Sequence, residues 1–318
     1  METRFGMGVG KQMKGWDIAI AFGVWATGTA AIASEPVAPE QLTSQPTVAA
    51  TVEARVPLED RRQDRARFWG LAAWAAAGEL HERPLGDTVQ TLAEQLLGAD
   101  YQGGLLDRFD DERLVISLYD FDCVLFVETA LALGQGAIAR DVSYDNFVQR
   151  VETLRYRDGQ LTDYCSRLHY FTDWIADNAA RGNIRPLTLE LGGVAQDKPL
   201  TFMSGHRHLY KHLANSDRNF ACIQAMEARI AEGLTVDYVP TEKISGLYDR
   251  LQAGDIIAVA TDISGLDVTH SGLVYRHEDG RIGFIHASPA GKTVIAQDLQ
   301  TYVERIDRAI GIMVARPL

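Results

Sequence analysis

Cysteine is scarce in this sequence, with three in 318 residues. That is too few for a disulfide scaffold, and the odd number leaves at least one thiol unpaired within the chain. A catalytic thiol is therefore worth seeking. Basic charge is also short: Lys and Arg number 31 against 43 Asp and Glu, a formal net charge of −12. A surface this acidic argues against nucleic acid or an anionic membrane as the main partner. No apolar run reaches the roughly 20 residues that span a bilayer; the stretch Ile18–Ala33 has 16 and is rich in Ala, Gly and Thr. There is no internal repeat. What is present, 46% hydrophobic and 23% charged residues, is the composition of a globular chain and excludes a disordered tail, a collagen-like fibre and a coiled coil. The length allows one large domain or two, with a real core either way.

Arg4, Lys11 and Lys14 precede the apolar stretch, which closes on the small-x-small pattern Ala31-Ile32-Ala33. Residues 1–33 thus read as a secretory signal peptide cut after Ala33, which places the mature protein in the periplasm or outside the cell. An uncleaved anchor and an apolar leader are the alternatives. No cysteine follows the cut, so a lipoprotein anchor is not indicated. Residues 34–59 form a Pro-rich linker, with four prolines between 34 and 57. The remainder, 60–318, is expected to be one catalytic domain with a helical N-terminal part.

Within it, Phe68–Ala77, Thr88–Leu97, Phe121–Leu133 and Tyr144–Leu154 have helical character. After Gly159 that periodicity fades. Asp255–Ala260, Ser271–Tyr275, Ile282–His286 and Thr293–Ile295 are short and β-branched, and His277-Glu278-Asp279-Gly280 links two of them as a hairpin. Helices followed by antiparallel strands predict an α+β fold.

In Asp122-Cys123, Asp is a favoured N-cap and the next residue opens the helix. A thiol in the first helical turn has its pKa lowered by the positive helix end, which suits a nucleophile; a small buried core cysteine is the plainer alternative. The base would come from the hairpin. His270 stands before SGLVY and His286 ends the paired strand, and the two mirror each other about position 278. Paired in register they would be roughly 5 Å apart at Cβ, one serving as base and the other holding its tautomer.

These residues resemble the NlpC/P60 superfamily of papain-like cell-wall peptidases and amidases. That superfamily has Asp-Cys at a helix start, a histidine opening an H-x-G-[ILV]-x strand, and a third polar residue on the next strand. Within it, the chain resembles the DUF1460 family, the N-acetylmuramoyl-L-alanine amidase-like proteins. The resemblance rests on FDCVLFVETALAL (121–133), SRLHYFTDWIADN (166–178), FMSGHRHLY (202–210), LQAGDIIAVATDISGLDVTHSGLVY (251–275) and FIHAS (284–288), and covers about residues 85 to 318. It implies a papain-like NlpC/P60 fold, helices packed on a C-terminal antiparallel sheet. It also implies a monomeric cysteine amidase that cuts the bond between N-acetylmuramic acid and L-Ala in soluble muropeptides, 1,6-anhydro forms included. By motif, Cys123 is the nucleophile, His270 the base and His286 its orienter; no cofactor and no metal are called for. A γ-D-glutamyl–diamino acid endopeptidase and a non-catalytic muropeptide-binding protein are the competing readings. Two positions depart from the pattern. Leu125 stands where the family commonly has Thr, and the position of the superfamily's oxyanion tyrosine, about twelve residues before the cysteine, holds Asp111, with Tyr119 only four before.

Arg167, His169, Tyr170 and Trp174, together with His206 and Arg207, are candidate substrate contacts: Arg for a peptide carboxylate, Trp for a sugar face. Against this, Tyr170 and Trp174 would serve equally as core and Arg167 as a structural ion pair. His208 and His212 have a zinc-compatible i, i+4 spacing but no His-Glu-x-x-His arrangement. Cys165 and Cys222 are open to either a disulfide or free thiols. Asp267 reads as a turn residue and the acidic run Asp107–Glu112 as a solvated face.

Overall fold

A computed structural model of the protein describes residues 58–318. The signal-peptide reading (1–33) and nearly all of the linker reading (34–59) lie outside the described residues. No helix among the described residues is long and apolar enough to cross a membrane. In chain order the main elements are α1 (Leu58–Ala77), α2 (Leu85–Glu94), β1 (Asp100–Tyr101), β2 (Asp120–Phe121), α3 (Cys123–Ile138), α4 (Tyr144–Arg155) and α5 (Phe171–Ala180). They continue with β3 (Ile184–Pro186), β4 (Val194–Gln196), α6 (Phe202–Gly205), α7 (Lys211–Ala214), α8 (Asp217–Gly233) and β5 (Val236–Pro240). The chain closes with β6 (Ile256–Thr261), β7 (Val268–Arg276), β8 (Ile282–Ala287), β9 (Thr293–Ala296), α9 (Leu299–Glu304) and β10 (Ala309–Pro317).

The helix starts follow local chemistry. Asp122, Ser143, Ser216 and Asp298 each stand in extended backbone and accept a hydrogen bond from the backbone N–H three residues on, capping α3, α4, α8 and α9. α3 is apolar nearly all round and twelve of its residues are buried, as suits a helix clasped on every side. In α1, Phe68, Leu71 and Ala75 turn inward while Trp69 and Trp74 stay exposed.

Seven strands run β4-β5-β10-β6-β7-β8-β9, with β3 also paired to β10, and every pairing in this sheet is antiparallel. The sheet is covered on both faces. Ala258, Leu273, Ile285, Ala287 and Met313 join the helical core, whereas Ile257, Val259, Val274, Phe284, Ile312 and Val314 join a smaller core closed by Leu247, Leu299 and Val303. At roughly 1.5–3 kcal/mol per buried large apolar side chain, these two layers hold the sheet in place.

The α+β expectation holds in that helices and an antiparallel sheet are both present, but the order is less clean than helices first and strands after. Helix α8 falls in the stretch where periodicity fades, and α2 begins and ends three residues before the expected 88–97. α3 begins at Cys123 because Phe121 is taken by β2, which pairs with β1. The acidic run is not simply a solvated face. Glu112 turns inward to accept the Tyr156 hydroxyl, and Asp107 pairs with Arg167.

Cys165 and Cys222 form a disulfide, which leaves Cys123 as the free thiol among the described residues. It ties α8 to the segment that carries Arg167 and His169. The two cysteines lie 57 residues apart, so opening the bond should cost about 2–4 kcal/mol through the freed unfolded chain. Urea denaturation of Cys222→Ser, or of the protein with and without reductant, measures this; equal midpoints would contradict it.

Candidate active site

The site lies where the start of α3 meets the β7–β8 hairpin. Leu125 N–H donates to Asp122 Oδ1 at 2.8 Å, which fixes the first turn and with it Cys123. Both residues are buried. Burial pushes the Cys123 thiol up to about 12; the Asp122 carboxyl adds to the push, and hydrogen bonding from the neighbouring Ser271 only partly opposes it. The expected lowering of the thiol pKa is therefore overturned at rest. Desolvation of a thiolate outweighs the partial charge of one helix end.

His270 and His286 come together, by a different register from the one expected. The pairs Leu273↔Ile285 and Val274↔Phe284 centre the hairpin at 279 rather than 278. His286 thus falls across from Gly272, and the two histidines are diagonal neighbours on one face. The cause is the five-residue loop 277–281, with Gly280 at φ 85. The rings still meet: Nε2 of His270 lies 2.7 Å from Nδ1 of His286. A bulge precedes His270, because Val259 pairs with His270 and Ala260 with Val268, leaving Thr269 as the extra residue. Bulges re-aim side chains, and this one sits directly before His270 on β7.

Cys123, Val124, Leu168, His169, Phe171, Trp174, Val268, Thr269, His270 and Ser271 line a cavity of about 30 Å³. It is too small to enclose a sugar or a peptide. A second cavity of about 70 Å³ shares Val124, Leu168 and His169 with it and adds Asp107, Asp122, Glu128, Arg155 and Arg167.

The other candidates divide. His169 lines both cavities and Trp174 the first, with Trp174 Nε1 donating to Glu128. Arg167 lines the second, but it is buried and already engaged by Asp107 at 2.5 Å, with Glu112 3.6 Å away. Tyr170 is core, its hydroxyl donating to Glu227 and accepting from the Met203 N–H. His206 and Arg207 line neither cavity; Arg207 is taken up by Leu213 O and Asp217. Asp267 is fully buried rather than an open turn. It accepts the Thr172 N–H at 2.7 Å and the Val268 N–H at 2.9 Å, tying the start of β7 to the start of α5.

Two tyrosines at the site escaped the sequence reading. Tyr101 is drawn in by pairing with Phe121, and its N–H donates to Gly291 O. Tyr302, on α9, packs on His286 with ring centroids 4.6 Å apart. Both phenols are pushed above their ordinary range by burial first and then by the nearby Cys123. The signal for Tyr101 was present in Tyr101-Gln102-Gly103-Gly104, an aromatic before a Gly pair, but it lay too far upstream for a fixed spacing to find.

A buried thiol at a helix start, lining one cavity with His270, has the components of an acyl-transfer site. The sequence model of the AmiA-like, N-acetylmuramoyl-L-alanine amidase-like family matches residues 91–312. The chain belongs to that family, and a peptidoglycan amidase-like function follows at family level. Among solved structures, an N-acetylmuramoyl-L-alanine amidase from Bacteroides uniformis ATCC 8492 is 31% identical, with a TM-score of 0.69 over 74% of this chain and 99% of that one. A Bacteroides fragilis protein provisionally named a xylanase is 32% identical, with a TM-score of 0.62 over 70% of this chain and 98% of that one. A Legionella pneumophila protein of the DUF1460 family shares the fold at 19% identity, with a TM-score of 0.62 over 82% of this chain and 96% of that one. No curated protein matches the chain.

The site histidines are held neutral by burial, His270 with a pKa of about 4, and His286, which also feels His270, of about 2. Burial, followed by Arg167, lowers His169 to about 3. Unfolded, each would titrate near 6.5. As pH falls below 6.5 the unfolded chain takes up protons that the folded chain refuses, so stability is lost. The loss continues down to about 4 for His270, 3 for His169 and 2 for His286. Urea midpoints should therefore fall steadily from pH 7 to pH 4.5, and less steeply in His270→Asn. A flat profile would overturn the neutral-histidine assignment.

Proposed function

We propose that the protein is an exported cysteine amidase of papain-like, NlpC/P60 type that hydrolyses the N-acetylmuramoyl–L-alanine bond of peptidoglycan fragments. The observation that carries this reading is the Cys123 thiol in one small cavity with His270, which is backed at 2.7 Å by His286, in a chain of the amidase-like family. The Cys165–Cys222 disulfide suits an oxidising compartment outside the cytoplasm.

At rest the site is a neutral thiol beside a neutral imidazole. With Nε2 of His270 engaged by His286, its Nδ1 is the nitrogen left to take a proton. Cys123 Sγ attacks the lactyl carbonyl while the thiol proton passes to His270. His270 returns that proton to the departing L-Ala nitrogen, and the peptide leaves with a new N-terminus. Water, deprotonated by His270, then hydrolyses the thioester and restores the thiol. The oxyanion would be met by the Cys123 backbone N–H and the Tyr101 hydroxyl.

The test is mass spectrometry of products from a defined disaccharide tripeptide in reduced and 1,6-anhydro forms. Peptide beginning with L-Ala beside an intact disaccharide is expected. Release of a diamino acid, leaving sugar–L-Ala–D-Glu, would instead establish the endopeptidase; no cleavage by an intact fold would favour a binding protein. Cys123→Ala should abolish turnover with the fold retained, and activity in that variant would sink the mechanism. Tyr101→Phe should lower kcat about 10- to 1000-fold if its hydroxyl meets the oxyanion, with little change in thermal midpoint.

A further inference from the structure

The hydrogen bond between the histidines contains one proton, and its owner decides whether the site can work. If His270 Nε2 carries it, Nδ1 of His270 is bare and can accept from a thiol. If His286 Nδ1 carries it, Nε2 of His270 is the acceptor, the His270 proton sits on Nδ1, and the base is blocked. A 2.7 Å contact permits either arrangement.

A third group touches the same nitrogen. The hydroxyl of Tyr302 lies 3.4 Å from His286 Nδ1. Its ring is held over His286 at 4.6 Å and against Phe284 at 5.1 Å, with His270 at 6.1 Å. Tyr302 is half-buried, on a helix whose start is fixed by the Asp298 cap. Among the described residues, His286 Nδ1 is the partner that its hydroxyl has. A phenol has one hydrogen to place, and a sheltered hydroxyl hydrogen seeks an acceptor. Here the acceptor in reach is Nδ1, which can accept only if it carries no proton.

We propose that Tyr302 is a positioning residue: its hydroxyl shares the single lone pair of His286 Nδ1 with the His270 Nε2–H, as the longer, 3.4 Å arm of a three-centre bond, and so favours the tautomer of both histidines that leaves His270 Nδ1 bare. This rests on the Cys–His–His reading above. In the attack the S–H bond of Cys123 breaks and an N–H bond forms at His270 Nδ1. The existing Nε2–H stays on His270 and donates to His286 Nδ1, which supports the imidazolium without taking its proton.

The test reads tautomers directly, without substrate. Two-bond ¹H–¹⁵N spectra of the histidine rings, on the full mature chain at pH 7, would be assigned through His270→Asn and His286→Asn. The wild type should show both rings protonated on Nε2 and bare on Nδ1. Tyr302→Phe keeps the ring packing and removes only the hydroxyl. It should place a measurable fraction of His286 in the Nδ1–H form and lower kcat about 3- to 10-fold with KM unchanged. A wild-type His286 protonated on Nδ1 would overturn the proposal, and so would a Tyr302→Phe variant with unchanged spectra and kcat. Should that variant fail to fold, the wild-type spectrum decides alone. Failure of the nucleophile reading looks different: Cys123→Ala would retain hydrolysis, whatever the tautomers.

Discussion

The two histidines can meet because Gly272 has no side chain. A Cβ at that position would come within 2.6 Å of Phe284 Cζ and 2.7 Å of the Ile285 carbonyl oxygen. Such a clash at the centre of the hairpin would force β7 and β8 apart or shift their register. Since side chains alternate along a strand, a one-residue slip would turn His286 to the opposite face. The contact between His270 and His286 depends on that one close approach.

Around this contact the Cys123 thiol and both imidazoles, all buried, are held toward their neutral forms by desolvation. A preformed thiolate–imidazolium pair in such a place would need compensation for two buried charges. A neutral pair needs none. Charge is instead concentrated in the neighbouring layer, where Arg155 pairs with Glu128 and Arg167 with Asp107. Those pairs brace α3, α4 and the 163–170 segment behind Cys123. They also explain why Arg167, a natural choice for substrate contact by residue type, is already committed to Asp107 through Nη2.

Several features were legible because they are local. The Asp-Cys cap, the hairpin turn and the β-branched runs rest on interactions spanning a few residues, and the helix start at Cys123 and strands β6 to β9 lie within one to three residues of where the pattern put them. His270 and His286 were legible for the same reason. Elements whose order comes from distant partners were not. Helix α8 is pinned by the Cys165–Cys222 bond and by Tyr170 on Glu227. Asp267 looks like a loop residue until the N–H groups it receives from Thr172 and Val268 are seen.

The sequence by itself determined the local geometry of the chemistry: a capped thiol, two histidines on one hairpin, and a composition able to bury them. Backbone propensity and side-chain alternation act over a handful of residues, so this much can be read without a fold. Tertiary structure decided the rest. The register that made the histidines diagonal rather than opposite came from loop length and Gly272. The raised thiol came from burial against the sheet. The approach of Tyr101 and Tyr302 came from strand pairing and helix packing across long separations. Desolvation and long-range contact are properties of the folded assembly, and no window of sequence contains them.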